Sequence, residues 1–205
     1  MTFYIAGAGG FGRETLDALR AALPSAADSA MFLDEHAQAR DVGGIPVGRP
    51  EQAGPGTFVV AIADPVARHR LAQALVSRGL TAGRVIHPRA VVSPGAALGP
   101  GCVILANTSV SDGAVLGSHV HVNNNATVGH DALLGDFVTV LPGANIAGAV
   151  RLGERVTLGS NACVLPGLRI GSCATVGAGA VVTHDQPEGT VVAGVPARPL
   201  VRASR

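Results

Sequence analysis

Tryptophan is absent from this 205-residue chain, and aromatic residues make up only 3% of it. That excludes a core built around large rings and leaves narrow packing by small aliphatic side chains, which 28 glycines would suit. Blocks of like charge are missing too. Fifteen basic and fourteen acidic residues give a formal net charge of +1, so no basic footprint for nucleic acid or an anionic membrane is present. No apolar run approaches the length of a membrane span. The opening MTFYIAGAGGFGRE lacks a basic n-region and a cleavage site, so no secretory signal is expected. The three cysteines, Cys102, Cys163 and Cys173, form no C-x-x-C pair. Their odd number fits a reducing cytoplasm, and Cys102 reads as a small core residue.

Against these absences stands one dominant pattern. Seventeen aliphatic residues recur every six positions without a miss, from Ile86, Val92 and Leu98 through Val122, Val128 and Leu134 to Val182. Four residues after most of them the side chain is small, as at Ala90, Ala96, Cys102, Thr108, Ala114 and Ala126. Neither a helix period near 3.6 nor a strand period of 2 produces this. A hexapeptide repeat predicts a parallel β-helix, in which three short faces close one triangular coil. Gly99, Gly117, Gly135, Gly153 and Gly171 add a period of eighteen, and the expectation is that each turns one corner sharply. Stacking at the strand spacing, nearly six coils would make a prism on the order of 28 Å long. Each buried aliphatic contributes about 1.5–3 kcal/mol, and only several stacked coils together offset the entropy of ordering.

Residues 1–84 obey a different rule, so two domains are expected, 1–84 and 85–205. Strands are predicted at Phe3–Ala6, Ala30–Leu33 and Phe58–Ile62, with helices ending near Leu23 and running from Val66 to about Arg78. Alternation of strand and helix implies a small parallel sheet, half of a Rossmann-like unit. The loop Gly7-Ala8-Gly9-Gly10-Phe11-Gly12 follows a strand and opens a helix, which is the context a phosphate-binding turn requires. Gly7 would permit the turn, Gly9 and Gly10 the approach of a ligand, and Gly12 the packing of helix on strand. Helix-start amides near Phe11 would favour phosphate, and Arg13, which follows that helix start, could touch it. Asp34 and Glu35 end the second strand where an acid can meet a ribose hydroxyl, and Arg68 near the next helix start could reach phosphate. About 84 residues leave no room for a second half, which favours one nucleotide-diphosphate moiety over a dinucleotide.

The order of glycine loop GAGGFGRE, opening Ile86-His87-Pro88 and hexapeptides resembles the sialic acid O-acetyltransferase (NeuD) family, across essentially the whole chain. Within it, the resemblance points to the bacterial nucleotide-amino-sugar N-acetyltransferases of glycan synthesis. The segments Val122-Asn123-Asn124-Asn125-Ala126-Thr127-Val128-Gly129-His130-Asp131 and Val192-Ala193-Gly194-Val195-Pro196-Ala197-Arg198 carry it most specifically. It implies an α/β half-Rossmann domain holding a UDP- or GDP-sugar, then a left-handed β-helix. It also implies a homotrimer with acetyl-CoA in a groove between subunits; no metal is expected.

An amine must lose a proton before it attacks a thioester, and a histidine suits that task. His130 falls at an outward step of its hexapeptide, and the resemblance makes it the base, with Asp131 orienting it. Relatives can carry a second histidine where this chain has Thr139, which can still donate a hydrogen bond near the acetyl group. The Gly148 N–H is a candidate oxyanion donor. Ser160, Ala178, Gly194 and Pro196 are candidate CoA contacts, since pantetheine needs a smooth groove. His119 and His121 are expected on the surface, and Asn123 to Asn125 either ladder between coils or line the groove. O-acetylation of a sugar hydroxyl is the alternative chemistry, and a non-catalytic sugar-nucleotide-binding protein is a more distant one. A three-histidine zinc enzyme of the γ-carbonic anhydrase type lacks the N-terminal unit, and His119, His121 and His130 lack its spacing.

Overall fold

The computed structural model describes residues 1–36 and 38–200. Strand β1 (Thr2–Ala6) is the centre of the first unit and pairs in parallel with β2 (Ala30–Leu33) and β5 (Gly56–Val60). Helix α1 (Gly10–Ala22) follows β1 and stops where Pro24 begins the short α2 (Pro24–Ala27). Helix α3 (Pro65–Ser77) follows β5, with Pro65 in its first turn and Asp64 Oδ1 accepting the Ala67 N–H at 2.7 Å. The three main strands and two main helices were expected within two residues of these bounds. Several pieces were not, the short α2 among them. A hairpin of β3 (Asp41–Val42) and β4 (Ile45–Gly48) turns on Gly43 and Gly44, both at positive φ, and adds an edge beside β2. Strand β6 (Thr81–Ala82) closes the other edge, giving the order β3-β4-β2-β1-β5-β6.

From Val85 onward the chain winds as a triangular parallel β-helix. Its two-residue strands form three sheets, and from Val85–Ile86 to Val181–Val182 each strand pairs with the one eighteen residues away, as Val103–Ile104 does with His121–Val122. The first face carries Val85, Val103, His121 and Thr139 outward, the second Ser109, Thr127 and Asn145, the third Val115, Leu133 and Arg151. The inward residue of each strand is the aliphatic of the six-residue pattern, and from Ile104 to Val182 all of them are buried. The small residues of the pattern fill the corners between them, with Ala114, Ala126, Ala132, Ala144 and Ala162 fully buried.

The glycine column at Gly99 has a different cause from the one expected. These five glycines are not in the left-handed region. The residues that turn that corner lie two positions on, and four of them, His119, Phe137, Arg155 and Cys173, have φ of 56–60° without being glycine. The column is glycine because coils touch there: a Cβ on Gly99 would lie 2.6 Å from the Gly117 carbonyl carbon, and one on Gly135 2.7 Å from the Glu154 nitrogen.

The first unit packs on the first face and on the corner between the third and first faces. Val85, Val103 and Leu105 share a core with Phe3, Ile5, Leu16 and Phe32. His119 and His121, expected on the surface, are buried in this junction at 6% and 0% exposure. His119 stacks between Phe137 and Phe58, with ring centroids at 5.1 and 5.9 Å, and His121 lies 4.8 Å from Phe11. His119 Nδ1 and both His121 ring nitrogens find no hydrogen-bond partner among the described residues. Burial, reinforced by the nearby Arg68 cation, pushes His119 down to about 4 and His121 well below the usual histidine range.

The junction is therefore acid-sensitive. As pH falls through about 6.5 the unfolded chain binds protons on these imidazoles, while the folded chain refuses them, His119 until about 4. The stability contributed by keeping these imidazoles neutral is full above about 6.5 and declines below it, for His119 until about 4. Denaturant titrations from pH 7.5 to 5 should show a declining unfolding free energy. The double variant His119→Phe/His121→Phe should have a shallower slope, and an unchanged slope would contradict this origin.

Candidate active site

Two separate regions carry the chemistry-bearing residues. The first is a cleft of about 430 Å³ at the carboxyl ends of β1, β2 and β5, where the sheet order diverges from β1 to both sides. Gly7, Gly9, Gly10, Phe11, Asp34 and Glu35 line it, as the sequence led us to expect. Gly7 has φ of 110°, and a Cβ there would lie 2.8 Å from the Ala61 carbonyl oxygen. Gly12 serves packing instead, since a Cβ would run into the Gly7 carbonyl and meet the Phe32 ring at 3.3 Å. A Cβ on Gly9 would meet nothing within 4 Å, so the backbone there is open to a ligand. Asp34 ties the loop down: its Oδ2 accepts the Ala8 N–H at 2.9 Å and its Oδ1 the His36 N–H at 2.8 Å.

The cations are not where the sequence placed them. Arg13 is exposed and does not line the cleft. Arg68, expected at phosphate, is fully buried. Its Nε donates to the His119 carbonyl at 3.0 Å, its Nη1 to those of Ile62 and Ala63 at 2.7 and 3.0 Å, and its Nη2 to Phe137 O and to Thr139 Oγ1 at 3.0 Å. Burial lowers it to about 9, with Asp64 opposing that shift, so it stays charged at neutral pH. The cation at the cleft is Arg70, two residues on, which went unnoticed because helix phase decides which of two neighbouring arginines faces outward. Thr139 is also corrected: it is buried at 1% exposure, with Oγ1 donating to Ala63 O at 2.9 Å, so it cannot sit in an open groove.

The second region is the corner between the second and third faces. His130 Nδ1 lies 2.9 Å from Asp131 Oδ2, and both side chains are about 70% exposed. Asp131 occupies the left-handed turn position, φ 58°, which a short polar residue tolerates. Two glycines clear the space. A Cβ on Gly113, one coil before Asp131, would lie 2.5 Å from its Oδ1, and a Cβ on Gly148, one coil after His130, would collide with its ring. Gly113 was not singled out from sequence; its eighteen-residue offset from Asp131 is the signal that could have found it. The Gly148 N–H has no hydrogen-bond acceptor among the described residues, and the imidazole stands beside it. With Nδ1–H given to the carboxylate, Nε2 is left as the basic nitrogen.

Ser160 and Ala178 stack on the corner between the first and second faces, with the Gly179 N–H donating to Ser160 O at 2.8 Å. The loop Gly194–Pro196 continues that edge, where Gly194 O accepts from Val181. Within one protomer these candidates are thus on a different corner from His130 and Gly148. Among the described residues, His119, His121 and His130 are not brought together as a group that could hold a metal. Of the asparagines, Asn107 Nδ2 donates to Asn125 Oδ1 at 3.2 Å as a ladder, Asn123 is buried against Val140 O, and Asn124 faces a small cleft with Glu14 and His87.

Several solved structures are similar to this chain. The acetyltransferase domain of PglB from Neisseria gonorrhoeae FA1090, solved with acetyl coenzyme A, is 38% identical over 97% of this chain and 98% of its own, with a TM-score of 0.89. Perosamine N-acetyltransferase from Caulobacter crescentus, solved in a mutant form with CoA and GDP-perosamine, is 32% identical over 98% and 97%, with a TM-score of 0.91. WeeI from Acinetobacter baumannii AYE is 30% identical over 98% and 100%, with a TM-score of 0.92. No family model and no curated protein matches the sequence. The chain belongs to the family of hexapeptide-repeat sugar N-acetyltransferases. None of these three relatives is named a sialic acid O-acetyltransferase.

Filling the open space at Gly9 tests the cleft. Gly9→Leu should retain the wild-type melting temperature and weaken calorimetric binding of UDP or GDP by at least tenfold. Unaltered affinity for both would show that the loop holds no nucleotide.

Proposed function

We propose that the chain transfers the acetyl group of acetyl-CoA to the amino group of a nucleotide-linked amino sugar, as a step of bacterial glycan synthesis. The observation that carries this reading is the His130–Asp131 pair, exposed beside an unpaired backbone N–H, in a molecule that also has a nucleotide-sized cleft. The amine lone pair attacks the thioester carbonyl carbon while His130 Nε2 takes the N–H proton. Asp131 holds the tautomer and stabilises the imidazolium. Negative charge gathers on the carbonyl oxygen, where the Gly148 N–H is placed to donate. Collapse expels the CoA sulfur, which receives the proton from His130, leaving amide and free thiol.

The division of labour follows the two regions. Residues 1–84 bind the nucleotide, its diphosphate at the start of α1 near Arg70, its ribose near Asp34. Residues 85–205 bind acetyl-CoA. The cleft lies on the side of the first face, whereas His130 occupies the corner opposite that face. The candidate CoA contacts likewise divide between two corners. A homotrimer in which the His130 corner of one copy meets the Ser160 corner of the next would unite them, and closed rings of this kind are heterologous interfaces that three copies complete.

Thiol release with acetyl-CoA and a panel of UDP-, GDP- and dTDP-linked amino sugars tests the activity. At least one should be turned over, and its analogue with hydroxyl in place of the amine should not. His130→Ala should lower kcat by about 10²–10⁴-fold, Asp131→Asn by less, and the acidic limb of the pH profile should vanish with His130. A His130→Ala protein with full kcat at saturating substrates would contradict the mechanism.

A further inference from the structure

Arg68 is more than a buried ion. It lies on α3 between Ala67 and Arg70, and both of these line the nucleotide cleft, as does Ile62, whose carbonyl it binds. The same guanidinium reaches two successive coils: the His119 carbonyl on one, and Phe137 O, Val138 O and Thr139 Oγ1 on the next. Thr139 Oγ1 passes the link back to the cleft side through Ala63 O. His130 lies on the stretch of chain that runs from the first of these anchors to the second.

We propose that Arg68, with Thr139, is a positioning residue for acetyl transfer: it fixes the height of the nucleotide cleft along the β-helix at the coil that carries His130. The proposal rests on the nucleotide-sugar reading above. A rigid planar fork with all its bonds made allows one register only, whereas apolar side chains on a flat face can slide. A slip by one coil would shift the cleft by about 4.8 Å. In the homotrimer proposed above, a threefold axis parallel to the prism would preserve height, so the same bonds would set the cleft of one copy level with His130 of its neighbour. The reacting atoms must come within about 3–3.5 Å, and a misplacement of about 1 Å can cost on the order of 100-fold in rate.

The test uses the full chain and the nucleotide-linked amino sugar that the wild type turns over. Thr139→Val keeps the shape and removes both hydroxyl bonds; Arg68→Lys keeps the charge and removes the fork. We measure kcat, calorimetric Kd and stoichiometry for the nucleotide sugar and for CoA, and the pH profile. In Thr139→Val kcat should fall about tenfold, and in Arg68→Lys about 100-fold. Both Kd values should stay within twofold, with unchanged stoichiometry and unchanged pH midpoints, because neither site loses a contact and His130 is untouched. Values of kcat within twofold of wild type, or losses that track stoichiometry or Kd, would overturn positioning and leave Arg68 a folding residue. If Arg68→Lys does not fold, Thr139→Val decides alone. A wild type that acetylates no nucleotide-linked amino sugar would instead overturn the proposed function, and this inference with it.

Discussion

Closure of one coil every eighteen residues is the constraint from which the other positions follow, because it assigns each residue to a face or a corner and to a height. The first face is taken by the N-terminal unit, whose core merges with Val85, Val103 and Leu105. The corner opposite is left free, and there the same eighteen-residue offset brings Gly113 under Asp131 and Gly148 against His130. At Gly148 glycine is needed because the His130 ring from the neighbouring coil occupies the volume a Cβ would take; Gly113 has in addition φ of 69°, which itself favours glycine.

The junction between the units is polar where a simple docking of apolar faces would have sufficed. Arg68, His119, His121 and Thr139 are all buried in it. Burying a guanidinium is costly unless its hydrogen bonds are made, and Arg68 makes them almost entirely to backbone carbonyls. The two histidines stay neutral, supply flat rings for stacking against Phe58, Phe137 and Phe11, and leave nitrogens unpaired. The cost of that arrangement rises as protons become available. The wall of the N-terminal cleft and the coil that carries His130 meet at these groups.

Much of this was legible in the sequence, for a physical reason. A β-helix repeats one local environment, so the aliphatic positions from Ile104 to Val182 could be read as buried from spacing alone, and the outward place of His130 came with them. The glycine loop was legible because its neighbours, a strand before and a helix after, are themselves strong local signals. What could not be read was whatever depends on the docking of one unit on the other. His119, His121 and Thr139 occupy outward steps of the repeat and would be exposed in an isolated coil; only the covering α/β unit buries them. Arg68 and Arg70 are two residues apart, and spacing does not say which one turns toward the coils. The column at Gly99 was read by the usual reason for glycine, a turn, when contact between coils was the cause.

The central claim is that the active site joins the cleft of one copy to His130 of another. Co-assembly of two impaired chains, assayed at a substrate concentration where each alone has little activity, tests it most directly. Gly9→Leu keeps His130 but closes the cleft; His130→Ala keeps the cleft but lacks the base. After random reassembly of equal amounts, about a quarter of the junctions between copies should unite an intact cleft with an intact base, because each neighbour is drawn independently. Acetyl transfer should then recover to about a quarter of the wild-type rate per chain. If cleft and base act within a single chain, the mixture will show no more activity than the two variants show apart, and the account of a shared site will be wrong.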